Sequence, residues 1–172
     1  LDQLAQPRCV NHMSSAGHIR FVVTNDFHHD NPANDAWMET AFKQIATTEN
    51  ADFCFGLGDL ANHGTPESLA TMKRLSALAG MPFYPAIGNH DLDDQGDAGN
   101  YTAVFPDRLN YTFTQNGWQF VVIDSTDGVI WQDSSIRDKT FAWLDATLPT
   151  LDSDAPTILA THFPLAADVT FA

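Results

Sequence analysis

The chain has 172 residues, of which 44% are hydrophobic and 17% are charged. This composition fits one globular domain and excludes a disordered or fibrous chain. Eight Lys and Arg residues against 22 Asp and Glu residues give a net charge of −14, which argues against general binding to nucleic acid or anionic lipid. An anionic substrate would need a local positive charge here, and a metal ion would supply it. No apolar run reaches the length of a membrane-spanning helix, so we expect no membrane span.

The N-terminal residues 1–17 show no periodicity, so we expect an irregular tail there and one domain over residues 18–172. The chain begins with Leu1; removal of an export signal and truncation explain this equally well. Its compartment stays open, since a bacterial protein in the cytoplasm and one exported after signal removal both fit. The sequence also does not decide whether Cys9 and Cys54 form a disulfide.

The first predicted unit is a strand followed by a helix. An apolar run of strand type covers residues 19–24 and ends in polar residues. A helical pattern covers residues 35–48, with Asn34 available as N-cap. Its expected inward stripe consists of Trp37, Ala41 and Ile45.

The next predicted unit repeats this order. A buried strand at 51–57 leads to a helix with Thr65 as its N-cap, and that helix is expected to end before Gly80. A third strand is predicted at 83–87. The polar, glycine-containing residues 93–100 then indicate a loop.

The last part of the chain predicts a hairpin, a helix and a strand. Asn116-Gly117 is a strong turn signal between strands at 111–115 and 118–124. A helix is predicted at 138–148, and a strand at 157–161. The inward residues of that helix are expected to be Phe141, Leu144 and Leu148. Strands alternating with helices, plus one hairpin, predict an α/β layered fold with a mixed sheet.

Polar clusters that contain metal-binding side chains follow four of these strands. The clusters are Asp26-Phe27-His28, Gly58-Asp59, Gly88-Asn89-His90-Asp91 and Thr161-His162. Each cluster alone is also what a strand-ending turn contains, but four such turns in one chain are hard to obtain by accident. We expect the four strands to lie side by side, so that the clusters meet at one sheet edge, with the hairpin extending the same core. Carboxylate and imidazole donors without thiolate suit Mn, Fe, Zn or Co.

These motifs resemble those of the calcineurin-like dinuclear metallophosphoesterases. DxH, GD, GNH(D/E) and a later His occur in the family's order over residues 19–165. The stretch 58–67 is similar to the bacterial class III cyclic-nucleotide phosphodiesterase-like branch. The resemblance implies a layered α/β/β/α sandwich with mixed sheets. The family's final GHxH motif is absent, so we expect the domain to be incomplete at its C-terminus, with a partner chain or a further C-terminal segment completing the metal site.

The resemblance also implies a ligand set and two metal ions, which we expect to be manganese, iron or zinc. Asp26, His28 and Asp59 would hold the first ion. Asp59, Asn89 and His162 would hold the second, so that Asp59 bridges the two.

The implied reaction is hydrolysis of a small phosphodiester or phosphomonoester. A hydroxide that bridges the two ions would attack phosphorus in line. His90 would protonate the leaving alkoxide as general acid, and Asp91 would fix and polarise the His90 imidazole. A non-catalytic metal-binding or regulatory domain and a nuclease of the same superfamily stay open as alternatives. The intact His90 and Asp91 count against the first alternative, and the acidic charge counts against the second.

Several other polar residues border the predicted cleft. His29, Asp30 and His63 are either substrate contacts or, more simply, solvated loop residues. Asp124, at the end of the hairpin, either supports the metal ligands or forms a turn.

Overall fold

Six strands form two three-stranded sheets in a computed structural model that describes residues 16–132 and 134–165. The strands are β1 Phe21–Thr24, β2 Phe53–Leu57, β3 Phe83–Ala86, β4 Tyr111–Gln115, β5 Trp118–Val122 and β6 Thr157–Ala160. The first sheet has the order β1-β2-β3 and is parallel throughout. The second has the order β4-β5-β6 and is mixed, because β4 and β5 are antiparallel whereas β5 and β6 are parallel.

The two sheets pack face to face through aromatic side chains. Phe53 and Phe55 share one face of β2, because side chains two residues apart on a strand point the same way. The Phe53 ring centroid lies 5.2 Å from that of Phe120 on β5 and 5.4 Å from that of Phe113 on β4. This layer joins the sheets, as the predicted α/β/β/α sandwich requires.

The helices are α1 Asp35–Thr48, α2 Pro66–Ser76, α3 Gly99–Val104 and α4 Asp138–Thr147, with short 3₁₀ turns at 77–79, 89–91 and 148–150. Side chains of α1, α2 and α3 form one buried cluster with Leu60 and Ile87, which follow β2 and β3. Both predicted helix signals around α2 are confirmed. The Thr65 hydroxyl accepts a hydrogen bond from Ser68 N, and Gly80 ends the following 3₁₀ turn at φ 68°. Within the described part of the chain, no helix is both long and apolar enough to cross a bilayer.

The predicted inward stripe of α1 is wrong at Trp37 but is confirmed at Ile45, which packs against the buried cluster. Met38 and Phe42 are fully buried, whereas Trp37 is 51% exposed. The Phe42 ring packs against Phe27 at 5.2 Å and Phe83 at 6.2 Å, so contacts with the loop after β1 and with β3 choose the face. Two adjacent apolar stripes fit the helical period equally well.

The fourth strand is also placed differently from the prediction. β6 does not join β1, β2 and β3 but pairs with β5 in the second sheet. Gln119 on β5 explains the choice: its amide donates to Asp152 O and to the Thr157 hydroxyl, and its amide oxygen accepts from Asp152 N. An apolar run predicts a buried strand but carries no information about its partner.

Two helical predictions in the second half need correction. Residues 99–104 form α3, where a loop was expected through residue 100. On α4, Phe141 and Leu148 are each 50% exposed, and the buried residue is Thr140. The Thr140 hydroxyl donates to Asp124 O, so a polar contact to the end of the hairpin seats the helix. The Asn116-Gly117 hairpin turn is confirmed, with both residues at positive φ.

Candidate metal centre

The four polar clusters meet at one end of the sandwich. Three of them follow β1, β2 and β3 at the carboxyl edge of the parallel sheet. The fourth comes from the second sheet, where the His162 Nδ1–H donates to Leu57 O at 2.8 Å across the layers. Although β6 lies in the second sheet, His162 is therefore at the same end of the sandwich as the other three clusters.

The backbone around the first two clusters sits in an unusual conformation. Asp26, His28 and Asp59 have φ values of 54°, 46° and 52°, which cost non-glycine residues about 1–3 kcal/mol each. Hydrogen bonds beyond the strand ends impose this conformation: Asp26 N donates to Gly58 O and His28 N donates to Asp59 O. The strained turns direct three acidic or imidazole side chains to one point.

Two glycines allow the loops to approach each other. A Cβ on Gly88 would lie 2.2 Å from Asp59 Oδ1, and a Cβ on Gly58 would lie 2.6 Å from His162 Nδ1. Both distances are shorter than the 3.0 Å below which a Cβ atom would clash with its neighbour. The glycines of the GD and GNH motifs therefore make room for the donor side chains beside them.

The donor atoms themselves lie within reach of shared ions. His28 Nε2 is 3.7 Å from Asp26 Oδ1 and 3.6 Å from Asp59 Oδ2, and His162 Nε2 is 3.4 Å from Asp59 Oδ2. Two groups have all their donor atoms within 4.8 Å of one another: His28, Asp59 and His90, and Asp26, Asp59 and His162. The resemblance paired Asp26 with His28 and kept His90 apart, whereas these distances place a His90 nitrogen beside His28. Asp59 belongs to both groups.

Asp59 is the electrostatic centre of the cluster. Its burial favours the neutral form, but the hydrogen bond with His162 and the His90 N–H at 3.0 Å outweigh burial and hold the pKa of Asp59 below its usual value. For His162, burial favours the neutral ring, but the Asp59 carboxylate outweighs it and raises the pKa. A buried carboxylate that stays ionised between imidazoles is suited to bridging cations.

Asn89 and His90 sit on the 3₁₀ turn after β3. The side-chain NH₂ of the buried Asn89 donates a hydrogen bond to Val129 O at 2.8 Å. This leaves the Asn89 amide oxygen as the atom that could bind a metal ion. The His90 Nδ1 lies 2.9 Å from Asn62 O; since a carbonyl only accepts, Nδ1 carries the hydrogen. The His90 Nε2 is then left for proton transfer or for a metal ion.

The expected contact between Asp91 and the His90 imidazole is wrong. Asp91 is fully buried, and its carboxylate accepts hydrogen bonds from Ala61 N at 2.8 Å and Gly88 N at 2.9 Å. Burial raises the pKa of Asp91 to about 7, although the two N–H donors oppose the shift. Asp91 therefore joins the GD and GNH loops, and the Asn62 carbonyl holds the imidazole instead.

The remaining cleft candidates have mostly structural positions. His29 is buried, and its Nε2–H donates to Asp35, which also binds Arg74, so it is not a solvated loop residue. His63 is exposed, lies 3.9 Å from exposed Asp30 and lines the pocket beside His90, so it borders the cleft as predicted.

Asp124, the last of these candidates, is buried at the end of the hairpin. It accepts hydrogen bonds from the Thr126 N–H and hydroxyl, so it forms a turn rather than supporting a ligand.

A pocket of about 190 Å³ opens beside His90 and Asn89. Asn62, Asp94 and Val129 contribute to its wall. Sequence reasoning did not single out Asn62, nor Asn25, whose amide donates to the Asp26 carboxylate. Asn62 and Val129 act through main-chain carbonyls, which every residue possesses, so no side-chain pattern could have indicated them.

The donor set fits divalent or trivalent ions. It combines two carboxylates, one of them buried and ionised, with an amide and imidazoles whose Nε2 atoms face the carboxylates, and it contains no thiolate. The main-chain carbonyls of Asn62 and Leu57 orient His90 and His162 through Nδ1, as in many metal sites. These residues could hold a dinuclear centre in which Asp59 is shared.

Comparisons with known proteins show the family of this chain. The family model for calcineurin-like phosphoesterase matches residues 19–171, so the chain belongs to that family. It is 30% identical, over 115 residues, to a 3′,5′-cyclic-nucleotide phosphodiesterase of Nostoc sp.. That match covers 66% of this chain and 41% of the relative, so the chain spans about two fifths of the relative's length.

A solved structure supports the fold. The purple acid phosphatase PPD1 from yellow lupin (Lupinus luteus) seeds superimposes with a TM-score of 0.55 at 16% identity, covering 82% of this chain and 29% of the phosphatase. At this identity the likeness concerns the fold alone. It agrees with the layered arrangement of two sheets and their helices.

Proposed function

We propose that this protein is a metal-dependent phosphoesterase that hydrolyses phosphodiesters in preference to phosphomonoesters. The observation that carries the proposal is the convergence of Asp26, His28, Asp59, Asn89 and His162 on one end of the sandwich, with His90 beside them. The name of the Nostoc relative favours the diester.

The residues of the candidate metal centre have separate roles in the proposed hydrolysis. When bound, two ions would neutralise phosphate charge and activate a water molecule for in-line attack. The water oxygen forms the new bond to phosphorus as one of its O–H bonds breaks and releases a proton to solvent, and the P–O bond to the alcohol breaks with its electron pair on oxygen. The His90 Nε2, with Nδ1 held by Asn62 O, delivers a proton to that oxygen. Asp91 keeps the GD and GNH loops in contact during turnover.

The basic test is hydrolysis of bis(4-nitrophenyl) phosphate by the full-length protein with added Mn²⁺. Activity should disappear with a chelator and return with metal. Activity that is indifferent to chelation would rule the mechanism out. Metal binding without hydrolysis of any phosphate ester would instead support a metal-binding or regulatory domain.

Two variants separate metal binding from proton transfer. Asp59→Asn removes charge from both subsites, so it should lower metal content as well as rate. His90→Asn should keep metal content near normal and lose roughly 10²–10⁴ in turnover on alkyl esters. The loss should be smaller on nitrophenyl esters, whose leaving groups need little protonation. If His90→Asn empties the metal site, or slows both kinds of ester equally, His90 is a ligand or a structural residue and the assignment fails.

A further inference from the structure

The loop after the hairpin carries exposed apolar side chains beside the candidate site. Val129, Ile130 and Trp131 are 43%, 64% and 65% exposed. Val129 also lines the pocket that contains His90 and Asn89. Three consecutive exposed apolar residues next to a reactive site are a costly arrangement unless something covers them.

The base of this loop is held firmly in place. Asp127 accepts a hydrogen bond from the Ser135 hydroxyl and pairs with Arg137 at 3.4 Å. Lys139 pairs with the buried Asp124 at 3.3 Å. The loop is also tied to the metal centre, since Val129 O accepts the hydrogen bond from the Asn89 amide. The apolar residues therefore have a defined position relative to the reacting atoms.

The pocket lies on the side of the site that receives the leaving alcohol. His90, the proposed proton donor to that alcohol, is part of the pocket wall. The volume of about 190 Å³ is enough for a small ring or a short chain. The occupant of this pocket is therefore the alcohol half of the ester rather than its phosphate.

The charge of the pocket restricts that alcohol further. Among the described residues its lining has one carboxylate, Asp94, two imidazoles, His63 and His90, and neither lysine nor arginine. The two cations closest in sequence to the loop, Arg137 and Lys139, are already paired with carboxylates. With a net charge of −14 on the chain, a second negative charge on the alcohol half would meet repulsion from Asp94 that no lysine or arginine in the lining offsets.

We propose that Val129, which lines the pocket, and the exposed Ile130 and Trp131 that follow it in the chain form the wall of a subsite for the alcohol half of a phosphodiester. This alcohol has a ring or other apolar body and carries no negative charge. The proposal rests on the proposed function. It assigns the apolar loop to substrate selection, in which Trp131 packs against the ring and Asp94 repels anionic alcohols.

The test uses three methyl phosphodiesters, assayed with the full-length protein and Mn²⁺. Their second alcohols are benzyl, 4-carboxybenzyl and ethyl, so that ring and charge vary separately. The benzyl ester should be hydrolysed with kcat/KM roughly tenfold above that of the carboxybenzyl ester. Trp131→Ser should raise KM for the benzyl ester about three- to tenfold, which is the contribution expected of one aromatic contact, and should leave kcat nearly unchanged. The kcat/KM for the ethyl ester should not change, because that substrate has no ring. Asp94→Asn should narrow the gap between the benzyl and carboxybenzyl esters.

Phe141→Ser is the matched control, because Phe141 is a half-exposed aromatic residue on α4 that does not belong to the loop 129–131. It should leave all three esters unchanged. Equal kcat/KM for the benzyl and carboxybenzyl esters, or a Trp131→Ser variant that slows the ethyl ester as much as the benzyl ester, would overturn the subsite while leaving the proposed function intact. Binding of the protein, but not of Trp131→Ser, to phosphatidylcholine vesicles would also overturn it, by assigning the loop to a lipid surface. Failure to hydrolyse even bis(4-nitrophenyl) phosphate would refute the proposed function and the subsite with it.

Discussion

Replacing Gly88 with alanine adds one methyl group where two loops of the metal centre touch. The new Cβ would lie 2.2 Å from Asp59 Oδ1 and 2.3 Å from Asp59 N, and contacts below 3.0 Å are essentially never seen for real Cβ atoms. Gly88 has φ −107°, which alanine adopts freely, so backbone strain plays no part. The substitution therefore tests steric contact with the shared ligand and nothing else.

The size of the effect follows from the overlap. Restoring a normal separation requires Asp59 to move by roughly 1 Å. The Asp59 backbone nitrogen cannot move aside by a change of rotamer, as the end of a flexible side chain could. Overpacking of this kind lowers the free energy of unfolding by about 1–3 kcal/mol. Since the displaced carboxylate belongs to both groups of donor atoms, we expect metal affinity to fall by at least the roughly 10–100-fold typical of disturbed supporting residues.

Three measurements on the full-length protein check this expectation. Urea unfolding in chelator reports the steric cost without metal. Bound manganese after dialysis, and hydrolysis of bis(4-nitrophenyl) phosphate, report the state of the site. Gly80→Ala is the control: Gly80 has φ 68° and no heavy atom within 4 Å of an added Cβ, so alanine there should cost about 1 kcal/mol of stability and change neither metal content nor rate.

A Gly88→Ala protein with normal metal content and normal activity would show that the two loops do not touch as described. Equal losses in Gly88→Ala and Gly80→Ala would refute the reasoning in another way, because general destabilisation would then explain both.

The remaining predictions concern stability and reactivity. Phe53→Ala, at the centre of the aromatic layer between the sheets, should lower the free energy of unfolding by about 3–5 kcal/mol in urea titrations, and a loss below 1 kcal/mol would mean that the layer is not packed as described. His29→Ala removes the buried hydrogen bond to Asp35, so thermal unfolding should show a loss of about 1–3 kcal/mol; an unchanged midpoint would contradict that bond. Burial raises the pKa of the Cys54 thiol, so in a Cys9→Ser background a thiol reagent at pH 8 should modify Cys54 only after unfolding, and rapid modification of the folded protein would disprove its burial.

Local signals in the sequence predicted most of the elements. The Thr65 cap, the Gly80 stop and the Asn116-Gly117 turn each depend on residues within a few positions of one another, and all three occur as predicted. The four polar clusters were also predictable, because ligand types at strand ends require particular side chains. The convergence of the first three follows from the parallel order of β1, β2 and β3, whereas the fourth comes from β6 in the second sheet.

The sequence by itself therefore determined most of the element types, the turns that carry the candidate ligands and the family. The tertiary structure decided the partner of β6, through side-chain bonds of Gln119, and the buried face of α1, through contacts of Phe42 with distant aromatic rings. It also decided that the Asn62 carbonyl, and not Asp91, holds His90. Strand partners, helix faces and main-chain acceptors are chosen by packing between segments that are far apart in the chain, and neither periodicity nor motif spacing records that choice.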